Sequence, residues 1–367
     1  MAGEIGYAAP APGPVDAPVH SEQTFVAKRG FTVGLVDNTT LHDAKKWGAN
    51  VVRIQLPLDY TAKTFHLDWE QTWNKVLADL DSGLDVAKEL NLTVVVTMPL
   101  MGADQYDRSL GRDENLAKFW DDDTSLVRLK ERWRQIATMC QKKGIVAWYD
   151  LLNEPLDRRD WPDAPKKWAA WSQALVDEIR QINQKSWFVV ESGPGGEMWE
   201  GLNHFPLPRD DKLICSVHLY APQRYTHQGV CDTQYPDSKS PVMEVNKDWP
   251  GNYQDTWGDG RWDKERLEKL LEPVHEFSAK HPNIPVYVGE FSVARWAPHG
   301  ERYLGDCLEI FEKYGWSWTY HAFRESPIWS LEHDSTYSVT DPVLAVGPTE
   351  RGKVVEEFLK LNALQSR

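Results

Sequence analysis

From Gly30 onward the chain alternates short apolar runs with longer stretches whose apolar residues recur at helical spacing. The runs at 31–36, 51–56, 92–98, 145–152, 187–190, 213–217, 284–288 and 316–320 are rich in Val, Ile, Leu and aromatic residues. They predict strands. Between them, 40–48, 67–90, 125–143, 165–184, 263–280, 303–314 and 353–364 predict helices. In 67–90 the residues Trp69, Trp73, Val76, Leu77, Leu80, Leu84 and Ala87 return every three or four positions, as on one helix face. Thr40 reads as a cap and Gly48 as a stop for the first helix. Strands that alternate with helices argue for a parallel sheet with helical crossovers. Eight strands alternating with helices at this length predict the α/β class, a single (β/α)8 or TIM barrel with long strand-end loops. One stretch, 221–262, is rich in Pro, Gly, Asp and Trp and too long for an ordinary connection, so a functional loop is expected there.

Composition adjusts this picture in a few places. At 367 residues the chain exceeds the usual single domain, but a barrel runs this long as one unit. The first 28 residues, rich in Ala, Pro and Gly at their start, read as a flexible leader, and 29–367 as the catalytic barrel. The leader lacks a basic-then-apolar signal. It reads as the remnant of a removed signal peptide, so a secreted or periplasmic location and a monomer are expected. With 55 acidic residues against 41 basic, the net charge of −14 argues against nucleic acid, and no run reaches membrane-spanning length. Cys140, Cys215, Cys231 and Cys307 show no ligand-like spacing, and buried free thiols are expected. The 18 tryptophans are the unusual excess, many beside Asp, Gly or Pro. Flat aromatic faces suit the C–H faces of sugar rings as well as large cores.

The candidate chemistry lies at strand ends. Glu154 ends the fourth strand in Asn153-Glu154-Pro155, and Glu290 ends the seventh in Val288-Gly289-Glu290. Proline disfavours the helical region for the residue before it, so Glu154 is expected to be extended. A carboxylate at the C-terminal end of an inner strand is costly unless it is used or paired. Glu290 is expected to share a face with Val288 and Val286. Arg53 sits in strand two, His218 and Tyr220 share a face after strand six, and strand eight offers Trp318 and His321. Singly, Arg53 reads equally as an ion-pair partner, His218 as a core histidine and Trp318 as plain core. Their joint placement at one face of a barrel is what those readings leave unexplained.

These residues resemble glycoside hydrolase family 5, the cellulase family. The resemblance rests on Arg53, Asn153-Glu154-Pro155, His218-x-Tyr220, Val288-Gly289-Glu290 and Trp318, and on the stretch 218–229 ending Tyr225-Thr226-His227-Gln228-Gly229. It implies Glu154 as acid/base, Glu290 as nucleophile and Asn153 on the sugar 2-hydroxyl. It further implies Arg53 and Tyr220 orienting the nucleophile, His218 supporting the acid/base and Trp318 as the floor beneath the sugar. The chain departs from the family at the end of strand three, where Thr97-Met98-Pro99 stands in place of a histidine. Trp296, Trp329, Tyr225 and His227 are further loop candidates for sugar contact. Glu191 is a weaker one, and Ser192-Gly193-Pro194-Gly195-Gly196 reads as a tight turn.

Retaining cleavage needs two carboxyl groups roughly 5–5.5 Å apart, one protonated and one ionised. Arg53 would hold Glu290 ionised. The expectation is a retaining endo-acting β-glucanase with a carbohydrate substrate and neither cofactor nor metal. Exo action, mannan and a non-catalytic carbohydrate-binding barrel are the alternatives. Glu325, Glu332 and His333 read as a solvated rim rather than a metal site.

Overall fold

The apolar runs close into a ring of parallel strands. In the computed structural model residues 25–364 are described, except 35, 102–106, 108, 198 and 231–242. The strands are β1 (Arg29–Val33), β2 (Val51–Gln55), β3 (Thr93–Thr97), β4 (Trp148–Asp150), β5 (Trp187–Glu191) and β6 (Leu213–Leu219). A small antiparallel pair follows, β7 (Gly251–Tyr253) and β8 (Gly260–Trp262), and then β9 (Val286–Phe291) and β10 (Ser317–Tyr320). The barrel order is β1-β10-β9-β6-β5-β4-β3-β2, with helices between the strands. The predicted (β/α)8 fold is therefore the observed one.

Alternation along the strands sorts the side chains into two layers. Val51, Val95, Trp148, Val189, Ile214 and Tyr287 fill the bottom of the barrel interior. Phe25, expected in the leader, stacks on Trp148 at 5.5 Å and closes that end. The other face of the strands packs against the helices through residues such as Val52, Val96, Tyr149, Val190, Val217, Val288 and Trp318.

Helix ends follow local chemistry. Asp37, not Thr40, caps the first helix (Asn38–Lys46), its carboxylate accepting the Thr40 amide at 2.9 Å. Asp68 and Gln71 form a capping box at the start of Trp69–Glu89. The helix expected over 263–280 divides into Lys264–Leu270 and Glu272–Lys280, because Pro273 has no amide proton to continue the first. Helices Leu58–Phe65 and Arg112–Asp121 were not anticipated. Cys140, Cys215 and Cys307 are free and buried. Cys231, with 231–242, lies outside the described residues. Among the described residues no helix is long and apolar enough to cross a membrane.

Candidate active site

Two residues above the apolar floor, the inward positions turn polar. Arg53 follows Val51, Thr97 follows Val95, Asp150 follows Trp148 and Glu191 follows Val189. All four are fully buried. A buried arginine needs its donors filled, and three acceptors surround this one. Nε and Nη2 donate to Asp150 Oδ2 at 3.0 and 2.8 Å, Nη2 also to Asn153 Oδ1 at 2.6 Å, and Nη1 to Glu290 Oε1 at 2.5 Å. Thr97 Oγ1 gives Asp150 Oδ2 a further bond at 2.9 Å. The residue that ends strand three thus braces the arginine's partner.

Glu290 reaches this network through an irregularity. Val217 pairs with Val288 but His218 pairs with Glu290, leaving Gly289 as one extra residue on β9. A one-residue shift exchanges faces. Val286 and Val288 consequently face the helices and Tyr287 the interior, so Glu290 does not share the valines' face as expected. The glycine is required for space as well: a Cβ there would lie 2.8 Å from Ser216 Oγ and 3.1 Å from His218 Nε2. On its other side the imidazole meets Gly196, where a Cβ would stand 2.9 Å from Cγ and Nδ1. His218 is thus clamped between two glycines, one of them from the turn after strand five.

Glu154 lies beyond β4 with φ +49°, in the left-handed region rather than extended. Pro155 restricts the right-handed helical region, and two contacts hold the conformation that results. Glu191 Oε2 accepts the Glu154 amide at 2.9 Å, and His218 Nδ1 stands 2.8 Å from Glu154 Oε1. His218 Nε2 is 3.3 Å from Glu191 Oε1, so the ring bridges two carboxylates. Burial lowers the His218 pKa, but Glu191, Glu290 and the bond to Glu154 outweigh it and raise the imidazole well above its ordinary value.

The two glutamates meet across this ring. A carboxylate oxygen of Glu154, a His218 ring nitrogen and a carboxylate oxygen of Glu290 all lie within 4.8 Å of one another. Burial would raise Glu290, yet the charges of His218, His321 and Arg53, with the Tyr220 hydroxyl, hold it below the usual carboxylate range. Tyr220 donates to Glu290 Oε2 at 2.7 Å and lies 3.0 Å from His321 Nδ1. The same three residues are metal-ligating types, but the Arg53 guanidinium already pairs with Glu290 Oε1 at 2.5 Å, and its charge disfavours a metal ion beside that carboxylate. Glu325, Glu332 and His333 do not converge. Glu332 pairs with Arg324, His333 meets Ser330, and Glu325 lies 3.5 Å from His321.

The aromatic expectations divide. Trp318 is fully buried on the helix side of β10, against Phe291, with its indole donating to Glu312 at 2.9 Å. It is not the floor of the site, since the inward positions of β10 belong to Ser317 and Thr319. Trp296 packs in a small cluster with Ala294 and Trp329, its indole on Gln228 O at 2.7 Å, and does not join the glutamates. Tyr225 is fully buried, donating to Pro298 O. His227 and Trp329 do come to the mouth, with ring centroids 4.8 Å apart and 5.1 and 6.2 Å from Tyr220. Burial and the neighbouring His321 push His227 down to about 4.

Three acidic residues do more in the site than the sequence analysis assigns to them. Asp150 and Glu191 are marked by their spacing, each two residues after an inward apolar one. Glu197 accepts the Tyr220 amide at 2.8 Å and Gln223 Nε2 at 2.9 Å. Burial pushes it up to about 7.

A family model described as Cellulase (glycosyl hydrolase family 5) matches residues 20–326. Endoglucanase 3 of Fibrobacter succinogenes is 23% identical over 291 residues, 73% of this chain and 42% of that protein. The chain thus spans less than half the length of that relative. A hyperthermophilic endo-β-1,4-glucanase solved with substrate superposes with a TM-score of 0.65 at 18% identity, over 90% of this chain and 97% of the other. Thermotoga maritima Cel5A in complex with mannotriose superposes with a TM-score of 0.62 at 19% identity, over 91% and 97%.

Proposed function

Because the chain belongs to glycosyl hydrolase family 5, we propose that it is a retaining β-glycosidase that cleaves β-glucan chains internally. The observation that carries the proposal is the approach of Glu154 and Glu290 oxygens to within 4.8 Å. That suits double displacement, whereas an inverting pair stands roughly 6.5–9.5 Å apart to admit a water.

In the first step Glu290 attacks the anomeric carbon as Glu154 passes its proton to the glycosidic oxygen. The C–O bond breaks, and the leaving chain departs as an alcohol. In the second, Glu154, now a carboxylate, takes a proton from water. The water oxygen attacks the anomeric carbon and releases Glu290. Arg53 and Tyr220 each donate to one oxygen of the nucleophile and keep it ionised, and His218 and Glu191 fix the acid/base. Asn153 accepts from Arg53 through Oδ1, which leaves its amide NH2 for the sugar 2-hydroxyl. His227 and Trp329 contribute ring faces for the sugar, in place of Trp318. The substrate is a carbohydrate polymer met outside the cytoplasm, by a monomeric, secreted or periplasmic barrel beginning near residue 29.

The test is product analysis on soluble β-glucan, mannan and xylan. A viscosity drop that runs ahead of reducing-end release on β-glucan, with first products of retained configuration, is expected. Monomer release alone would replace the endo reading with an exo one. Preference for mannan would change the sugar and leave the mechanism.

A further inference from the structure

His321 stands beside the nucleophile and takes no part in the double displacement. Ser317 and Thr319 hold the inward positions of β10, and His321 is the next residue in that phase. Its amide extends the ladder to β9, donating to Phe291 O at 3.1 Å. The ring then meets two partners on opposite edges. Nδ1 lies 3.0 Å from the Tyr220 hydroxyl, and Nε2 lies 3.5 Å from Glu325 Oε2. Glu325 is seated against the end of β1, where a Cβ on Gly34 would stand 2.9 Å from its Cγ.

The protons available fix the state of this ring. A phenol carries a single O–H, and Tyr220 gives it to Glu290 Oε2 at 2.7 Å. Towards His321 the hydroxyl can only accept, so Nδ1 must carry a proton. An ionised carboxylate accepts and cannot donate, so Nε2 must carry one too. The ring that suits both neighbours is the imidazolium, and its Nδ1 is 4.0 Å from Glu290 Oε2. The surrounding charges favour that state on balance. Burial disfavours it and Arg53 opposes it from β2, but Glu290 on β9 and Glu325 raise the ring above its ordinary pKa. His227, just after the short helix Gln223–Thr226, is held down to about 4 by burial and by His321 itself, so it stays neutral alongside.

We infer that His321, braced by Glu325, is a positioning residue for the nucleophile: its imidazolium donates to the Tyr220 oxygen, commits the phenol proton to Glu290 and keeps that carboxylate ionised. The inference rests on the hydrolase reading and adds to it a charged arm, Glu325–His321–Tyr220, behind Glu290. Because Glu325 holds the Nε2 proton, the proton lost at high pH is the one on Nδ1. The bare nitrogen then competes for the Tyr220 proton, and Glu290 loses a donor.

The test uses the full chain and a dinitrophenyl β-cellobioside, whose leaving group needs no proton, so that kcat/KM follows the nucleophile rather than Glu154. His321→Gln removes the cation and should move the acid limb of the kcat/KM profile up by roughly 1–3 pH units, the effect of losing an opposite charge at this range. Glu325→Gln keeps the ring and should leave the acid limb in place while moving the alkaline limb down by about one pH unit. Nitrogen-15 NMR of the histidine side chains, with His321 assigned from the signal lost in His321→Gln, should show both its nitrogens protonated at neutral pH. In Glu325→Gln the same signal should titrate lower, in step with the alkaline limb. A loss of activity independent of pH in both variants would reduce His321 to packing, and a neutral ring at neutral pH would overturn the hydrogen-bond assignment; either result sinks the proposal. A wild-type protein that turns over no β-glycoside would sink the hydrolase reading instead, and the NMR titration would still decide the charge on His321.

Discussion

Arg53 Nη1 donates to Glu290 Oε1 across 2.5 Å, with the arginine fully buried and the glutamate side chain 7% exposed. The guanidinium's other donors are taken by Asp150 and Asn153, so one fork fixes three acceptors. Lysine cannot reproduce that geometry. Arg53→Lys should lower kcat at least 100-fold with a smaller change in KM. It should also destabilise the fold by roughly 3–5 kcal/mol, because buried Asp150 loses its partner. Steady-state kinetics and urea unfolding read the two effects separately. A variant with full stability and only KM raised would show that the arginine binds substrate instead.

The eight strands and the positions of Arg53, Asn153, Glu154, His218, Tyr220 and Glu290 were legible because polar residues at the ends of apolar runs are conspicuous. Asp150 was not, and Glu191 read only as a weaker candidate for sugar contact, although each stands two residues after a side chain on the barrel floor. The facing of Glu290 depended on the extra residue Gly289, and no periodicity reveals a bulge in advance. Trp318 was misplaced for a related reason. An aromatic run such as Trp316-Ser317-Trp318-Thr319-Tyr320 shows alternation but not which phase faces inward. Residues such as Gly196 and Gly289 give up a side chain to make room for His218, and that is visible only once the strands are assembled.

Trp318 and Trp329 provide a direct check on the corrected floor. Trp318→Phe keeps an aromatic ring in the helix-side core but loses volume and the bond to Glu312. It should cost roughly 1–3 kcal/mol of stability with kcat/KM unchanged. Trp329→Ala should raise KM several-fold with a smaller stability loss. The opposite assignment of the two effects would restore Trp318 as the sugar's floor.

Glu197 sets a stability slope at mildly acidic pH. Its carboxyl is pushed from 4.5 up to about 7 by burial. A raised folded value contributes stability that is full below about 4.5 and is lost as pH rises towards 7. Over that window the folded state should weaken by about 3 kcal/mol relative to a Glu197→Gln variant, which keeps a carbonyl for the Tyr220 amide. Urea melts at pH 4.5 and 7.5 test this. Parallel behaviour of the two proteins would mean that Glu197 titrates normally.

The proposed division of labour between the two glutamates is separable by leaving group. A dinitrophenolate departs without protonation, whereas a sugar hydroxyl does not. Glu154→Gln should therefore slow hydrolysis of an oligosaccharide by about 10²–10⁴-fold and spare glycosyl-enzyme formation from a dinitrophenyl β-glycoside. The second step then lacks its base, so a burst of phenolate should precede slow turnover. Azide, an anion that needs no deprotonation, should speed that turnover and give a β-glycosyl azide. Glu290→Gln offers no nucleophile and should be inactive on both substrates without a burst. His218 bridges Glu154 and Glu191, so Glu191→Gln should reproduce part of the Glu154 pattern, a loss larger for the oligosaccharide than for the dinitrophenyl substrate. If Glu154→Gln slowed both substrates equally, Glu154 would act by binding rather than by proton transfer. If Glu290→Gln still gave a burst, the covalent step would belong to another residue.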